Sequence, residues 1–158
     1  MITVTRSFSF VMARNLMNHN DKCSIRGRNY KLEVTVSSNV LSENADDSNY
    51  GMLIDFKDLD KIIHDSVIEK YDHSFLVWKH GFDNFLNEIL DEEFSQNNIH
   101  IVTYRPTVEN ICIVMAREIQ IALDKYNKEN NAGVFLVKLR LYEADDSYAE
   151  YTDIVKYW

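Results

Sequence analysis

Residues Val134 to Glu143 read VFLVKLRLYE, and their side chains alternate with a period of two. Val134, Leu136, Lys138 and Arg140 fall on one side, and Phe135, Val137, Leu139 and Leu141 on the other. A β-strand points successive side chains to opposite faces, so this stretch predicts a strand. Asn29 to Val40 alternates in the same way, with Tyr30, Leu32, Val34 and Val36 on one face and Lys31, Glu33, Thr35 and Ser37 on the other. Ile2 to Leu16, rich in Thr, Ser, Phe and Val, precedes it. The pair predicts a long antiparallel hairpin with one solvated face. Its apolar face has to be covered.

The covering elements have helical period. Phe56, Leu59, Ile62, Ile63, Ser66 and Val67 recur at helical spacing within Asp55 to Tyr71, and Asp58 and Asp60 suit the positive end of that helix. Phe82 to Phe94 predicts a shorter amphipathic helix carrying Phe85, Leu86, Ile89 and Leu90, and His100 to Tyr104 a brief strand. Thr107 is placed as the N-cap of a second long helix, Val108 to Tyr126, with Ile111, Val114, Met115, Ile119 and Leu123 on its apolar face. Ser42 to Tyr50 and Asn130 to Gly133 are polar breaks, and Asp145 to Ser147 turns into a last strand, Tyr148 to Tyr157. Hairpins segregated from helices predict an α+β fold, with the helices on one face of an antiparallel sheet. At 158 residues the chain, 1–158, is expected to be one domain.

Charge narrows the function. A net charge of −8 argues against a nucleic-acid partner, since phosphate backbones are met by clustered Lys and Arg. Two cysteines, Cys23 and Cys112, suit a reducing compartment. No apolar run approaches the roughly 20 residues of a membrane helix. A soluble cytoplasmic protein without a membrane partner is expected. The chain has no glycine-rich phosphate loop, no G-x-S-x-G elbow and no paired C-x-x-C. Its local basic feature is Arg26-Gly27-Arg28, between a cysteine and the alternating strand in KCSIRGRNYKLEVTV.

Five stretches lie in one order along the chain: FSFVMARNL (Phe8 to Leu16), KCSIRGRNYKLEVTV, GMLIDFKDL (Gly51 to Leu59) with YDHSFL (Tyr71 to Leu76), RPTVEN (Arg105 to Asn110) and LYEA (Leu141 to Ala144). Together they resemble the 6-pyruvoyl-tetrahydropterin synthase family, which includes the 6-carboxytetrahydropterin synthases of queuosine biosynthesis. The resemblance implies the tunnelling fold (T-fold), with a four-stranded antiparallel sheet, two long helices on one face and trimers stacked into a homohexamer. It implies pockets between subunits. It also implies roles for Cys23 as catalytic thiolate, for Asp72 and His73 as the pair that polarises it, for Glu143 as the anchor of a pterin ring, and for Thr107 and Glu109 in the same pocket. Each has a plainer alternative: Cys23 as a loop thiol, Asp72 and His73 as a helix end, Glu143 as a solvated strand end, Thr107 as a helix cap.

The family's zinc is held by three histidines, and those positions fall on Arg14, Arg26 and Arg28. Guanidinium carries no lone pair and stays protonated, so no zinc cofactor is expected. Three converging arginines suit an anion instead, because the guanidinium fork matches phosphate and carboxylate. Three readings stand. The first is a non-catalytic binding protein that sequesters or senses an anionic pterin- or nucleotide-like molecule through Arg14, Arg26, Arg28 and Glu143. The second is an active lyase acting on a dihydropterin triphosphate with Cys23, Asp72 and His73. The third is a structural homologue with a vestigial site.

Overall fold

β1 (Thr3–Met17) pairs with β2 (Cys23–Ser38) over its whole length as one antiparallel hairpin, Thr3 opposite Ser37 and Met17 opposite Cys23. The structure is a computed structural model that describes residues 2–17, 23–39, 41, 43, 45–46, 48–81 and 98–152. After the hairpin come α1 (Phe56–Ile63), a π-helical turn (His64–Ile68) and α2 (Glu69–Tyr71), which run on from one another. β3 (Ser74–Trp78) and a short 3-10 turn (Lys79–Gly81) follow, then β4 (Ile99–Val102), α3 (Val108–Asn130), β5 (Val134–Ala144) and β6 (Ser147–Thr152). The helix expected at Phe82 to Phe94 lies outside the described residues, as does the end of the strand expected to reach Tyr157.

The expected sheet of four antiparallel strands is corrected. Among the described residues six strands are present, in the order β4-β3-β1-β2-β5-β6, with β3 parallel to β1 and β4 parallel to β3. β3 escapes a periodicity reading because it is buried on both faces: Leu76 joins the main core, while Phe75 and Val77 pack with Ala13 and Ile99 on the other side. A short apolar run of this kind carries no alternation to read.

The main core lies between one sheet face and the long helices. Phe10 and Met12 of β1 and Tyr30, Leu32, Val34 and Val36 of β2 meet Leu59, Ile63 and Val67 from the first helical run and Ile111, Met115, Ile119 and Leu123 from α3. Val114, expected on the buried stripe, is only half-buried, and Cys112 and Ala116 take its place. Thr107 caps α3 as expected, its Oγ1 accepting from Asn110 N at 3.3 Å. The helix runs four residues past the expected end, to where Asn131 adopts a left-handed φ of 51°. Asp55 caps α1, and Arg6 donates through Nε and Nη2 to both oxygens of Asp60 at 2.6 Å, tying α1 to β1. The expected continuous α-helix to Tyr71 contains the π-helical turn, in which Glu69 N–H bonds His64 O five residues back.

In β5 the strict alternation expected from the sequence is also broken. Thr35 faces Lys138 and the next residue, Val36, faces Leu136, so Val137 is the extra residue of a β-bulge. The bulge switches faces: Val134 and Leu136 are in the core before it, Leu139 and Leu141 after it. It brings the end of β5, with Glu143, onto the hairpin beside Tyr30.

Candidate functional site

In the hairpin ladder Phe10 faces Tyr30, Met12 faces Arg28, and Arg14 faces Arg26. Spaced by two along each strand, these residues share the face that carries the core. Phe10 and Tyr30 stack with ring centroids 5.6 Å apart, closing the apolar layer. Beyond them the face is arginine. The hairpin thus places all three arginines together at the margin of the core.

They are not equivalent. Arg14 is 3% exposed, whereas Arg26 and Arg28 are exposed. Arg14 donates from Nη1 to the Pro106 carbonyl at 2.9 Å and from Nη2 to Glu143 Oε1 at 2.5 Å. Its Nε is buried with no hydrogen-bond partner, and so is the hydroxyl of Tyr30. Burial pushes the Tyr30 hydroxyl above its ordinary range; the charge of Arg14 pulls it down, that of Glu143 up and that of Arg28 down. Tyr30 therefore sits in the field of the whole cluster. Removing one partner from a buried ion pair typically costs about 3–5 kcal/mol, against ~0–1 kcal/mol for an exposed pair such as Lys61–Asp65. Arg14–Glu143 is the ion pair that matters here.

Arg26, Arg28 and Glu143, with Ala144, Asp145 and Ser147, line a cleft of ≈ 470 Å³. Among the described residues neither Arg26 nor Arg28 forms an ion pair. The cleft therefore presents two guanidinium groups and two carboxylates, that of Asp145 and that of Glu143, the latter held from behind by a third guanidinium. Such an arrangement can take an anion at one end and a hydrogen-bond donor at the other.

The remaining predicted residues lie apart. Thr107 follows Pro106 and so adjoins Arg14 through the backbone, but its side chain serves the helix cap. Glu109 is exposed in the first turn of α3 and does not line the cleft. Asp72 and His73 are on the edge of β1 away from β2: Val11 N–H donates to Asp72 Oδ1 at 2.9 Å, and His73 N–H to Val11 O at 2.6 Å. Asp72 also meets His73 Nδ1 at 3.0 Å, and His73 has a φ of 56°. The Val11 amide, more than His73, holds the Asp72 carboxyl below its ordinary range, against the effect of burial. Neither residue lines the cleft. Cys23 opens β2 opposite Met17. Cys112, the other cysteine, is buried in the core, which pushes its thiol up to about 11 and leaves it unreactive at neutral pH.

Sequence reasoning missed Tyr30, Pro106, Asp145 and Ser147. Tyr30 was legible as a core residue, and its hydroxyl, needing a partner among apolar neighbours, was the available signal. Pro106 is the chain's one proline, yet the use of its carbonyl has no signature.

The zinc implied by the sequence resemblance does not fit these residues. One of the three guanidinium groups is buried and committed to Pro106 and Glu143, and none has a lone pair. The grouping with ligand-like spacing among the described residues is His64, Asp65 and Glu69, all exposed on the π-helical turn and away from the cleft.

Comparison with known proteins gives a consistent picture. The family profile described as 6-pyruvoyl tetrahydropterin synthase matches residues 3–153. A 6-carboxy-5,6,7,8-tetrahydropterin synthase of Rickettsia typhi is 27% identical over 151 residues, covering 95% of this chain and 99% of that protein. The same-named protein of Haemophilus influenzae is 26% identical over 154 residues, covering 97% and 100%. In structure, the chain resembles 6-pyruvoyl tetrahydropterin synthase of Plasmodium vivax with a TM-score of 0.65 at 12% identity, covering 97% of this chain and 99% of that one. The Caenorhabditis elegans enzyme aligns with a TM-score of 0.60 at 19% identity, covering 96% and 95%.

Proposed function

Because this chain belongs to the 6-pyruvoyl tetrahydropterin synthase family, we propose that it binds an anionic pterin- or nucleotide-like small molecule, without zinc and without turnover. The observation that carries this reading is the exposure of Arg26 and Arg28 beside Glu143 in one cleft, with no carboxylate paired to either arginine among the described residues. Two exposed cations side by side repel, and an anionic ligand relieves that repulsion. Glu143 supplies a carboxylate acceptor for a ring N–H or amino group at the other end. The relatives named above as tetrahydropterin synthases support a ring-bearing ligand of this kind. Sequestering or sensing such a metabolite is the corresponding role.

A lyase using Cys23, Asp72 and His73 is less favoured. Arginine can stabilise a developing oxyanion, but it cannot coordinate two adjacent hydroxyls as a Lewis acid does. A vestigial site is favoured by a different observation, the Arg14–Glu143 ion pair, which engages the ring anchor from within the chain. Calorimetric titration with 7,8-dihydroneopterin triphosphate and guanosine triphosphate separates the readings. Binding without conversion of the pterin supports the proposal, release of its phosphate chain supports the lyase, and no binding of either compound supports the vestigial site.

A further inference from the structure

Arg14 joins three segments that are far apart in the chain. Its guanidinium bridges β1 to Pro106, just before α3, and to Glu143 in β5, which is separated from β1 by β2 in the sheet. Both acceptors are reached at once by the two terminal nitrogens of one planar group. A lysine, a point charge with three rotatable donors on one nitrogen, offers no such planar fork. Arg14 is 3% exposed, so its orientation is set by packing before any ligand arrives, while the Glu143 side chain keeps 22% exposure on the cleft side. The carboxylate gives Oε1 to Arg14.

We propose that Arg14 is a positioning residue, whose buried guanidinium cross-links β1, the entrance of α3 and β5 as a bound cation would, and so fixes Glu143 in the cleft. This rests on the reading of the cleft as a ligand site. Arg14 does not touch the ligand; Arg26 and Arg28 do. The three arginines thus divide into one internal cross-link and two surface contacts.

The test compares the parent with Arg14→Met, Arg14→Lys, Glu143→Met, the double variant Arg14→Met/Glu143→Met, and Arg26→Ala. Thermal midpoints are measured for all, together with dissociation constants for neopterin, a ring without phosphate, and for inorganic tripolyphosphate, a tail without a ring. Arg14→Met and Glu143→Met each lower the midpoint by roughly 6–20 °C, and the double variant recovers most of that loss, because no lone buried charge remains. Arg14→Met and Arg14→Lys weaken neopterin about tenfold or more and shift tripolyphosphate by less than about threefold, whereas Arg26→Ala does the reverse. If Arg14→Met fails to fold, a double variant that does fold supports the cross-link and one that also fails overturns it, while Arg14→Lys carries the neopterin readout. Additive effects of the two single changes overturn the cross-link, and an Arg14→Lys variant that binds neopterin as the parent does overturns the positioning role. If the parent binds neither probe, the ligand reading fails with it, while the thermal cycle still decides whether Arg14 is a cross-link.

Discussion

Arg14 and Arg26 stand directly opposite each other in the ladder of β1 and β2, one buried and the other exposed. Like charges facing each other across a sheet are destabilising, and the conflict is resolved by turning one of them away to a carboxylate. Arg14 reaches Glu143 and Pro106 at the core margin, and Arg26 remains on the cleft. Positions that are symmetric in the hairpin thereby become different in kind.

The chain should carry no stoichiometric zinc, because none of Arg14, Arg26 and Arg28 can donate a lone pair. Elemental analysis of purified, dialysed protein is expected to find far less than one zinc per chain. Changing all three arginines to histidine should introduce zinc binding if the hairpin retains the family's ligand geometry, and the same analysis reads that outcome.

Anion binding in the cleft should be sensitive to salt. Arg28→Ala is expected to weaken guanosine triphosphate by about 1.5–3 kcal/mol, the contribution of a charged hydrogen bond. Because Arg28 is exposed, the difference from the parent should shrink between low salt and about 0.5 M, where the Debye length falls to a few ångströms. A salt-independent difference would point to lost packing instead.

Asp72 should contribute to the loss of stability in acid. The Val11 amide depresses its folded-state pKa below the unfolded value of about 3.9, so its contribution is present above that pH and is lost as pH falls through the folded value. Asp72→Asn keeps an acceptor oxygen but cannot titrate. Urea midpoints of the variant are expected to fall less steeply than those of the parent below about pH 4. The effect will be modest, since the side chain is 36% exposed.

Asn127 closes the turn from α3 into β5 by acting as a strand mimic. Its Nδ2 donates to Val134 O at 2.7 Å, and its Oδ1 accepts from Val134 N at 2.9 Å. Asn127→Ala leaves both groups of a buried residue without partners and should cost about 2–4 kcal/mol, measured by chemical denaturation. Asn127→Asp, which retains only the acceptor, should fall between the two.

Assembly offers a further check. Among the described residues β4 and β6 are the edges of the six-stranded sheet, and uncovered edges invite pairing between copies. A closed trimer-based ring, a hexamer as the family resemblance implies, is the expected solution state. Native mass spectrometry at micromolar concentration should show it, and a monomeric mass would count against it.

Much of this protein is local and therefore legible in its residues. The hairpin and the apolar stripes of α1 and α3 follow from side-chain periods of two and 3.6, and the Thr107 cap from its hydroxyl ahead of the helical stretch. Motifs in order along the chain also point to the family that its match over residues 3–153 shows. Three features were decided by tertiary structure. β3 joins the sheet in parallel because both its faces are buried, which erases the alternation that would have announced it. The bulge at Val137 reassigns the faces of β5, because the register is set by β2 rather than by β5's own pattern. The distinction between Arg14 and its two neighbours depends on Glu143, 129 residues away. A buried charge is tolerated only where folding brings a counter-charge to it, so its place cannot be read from the residues beside it.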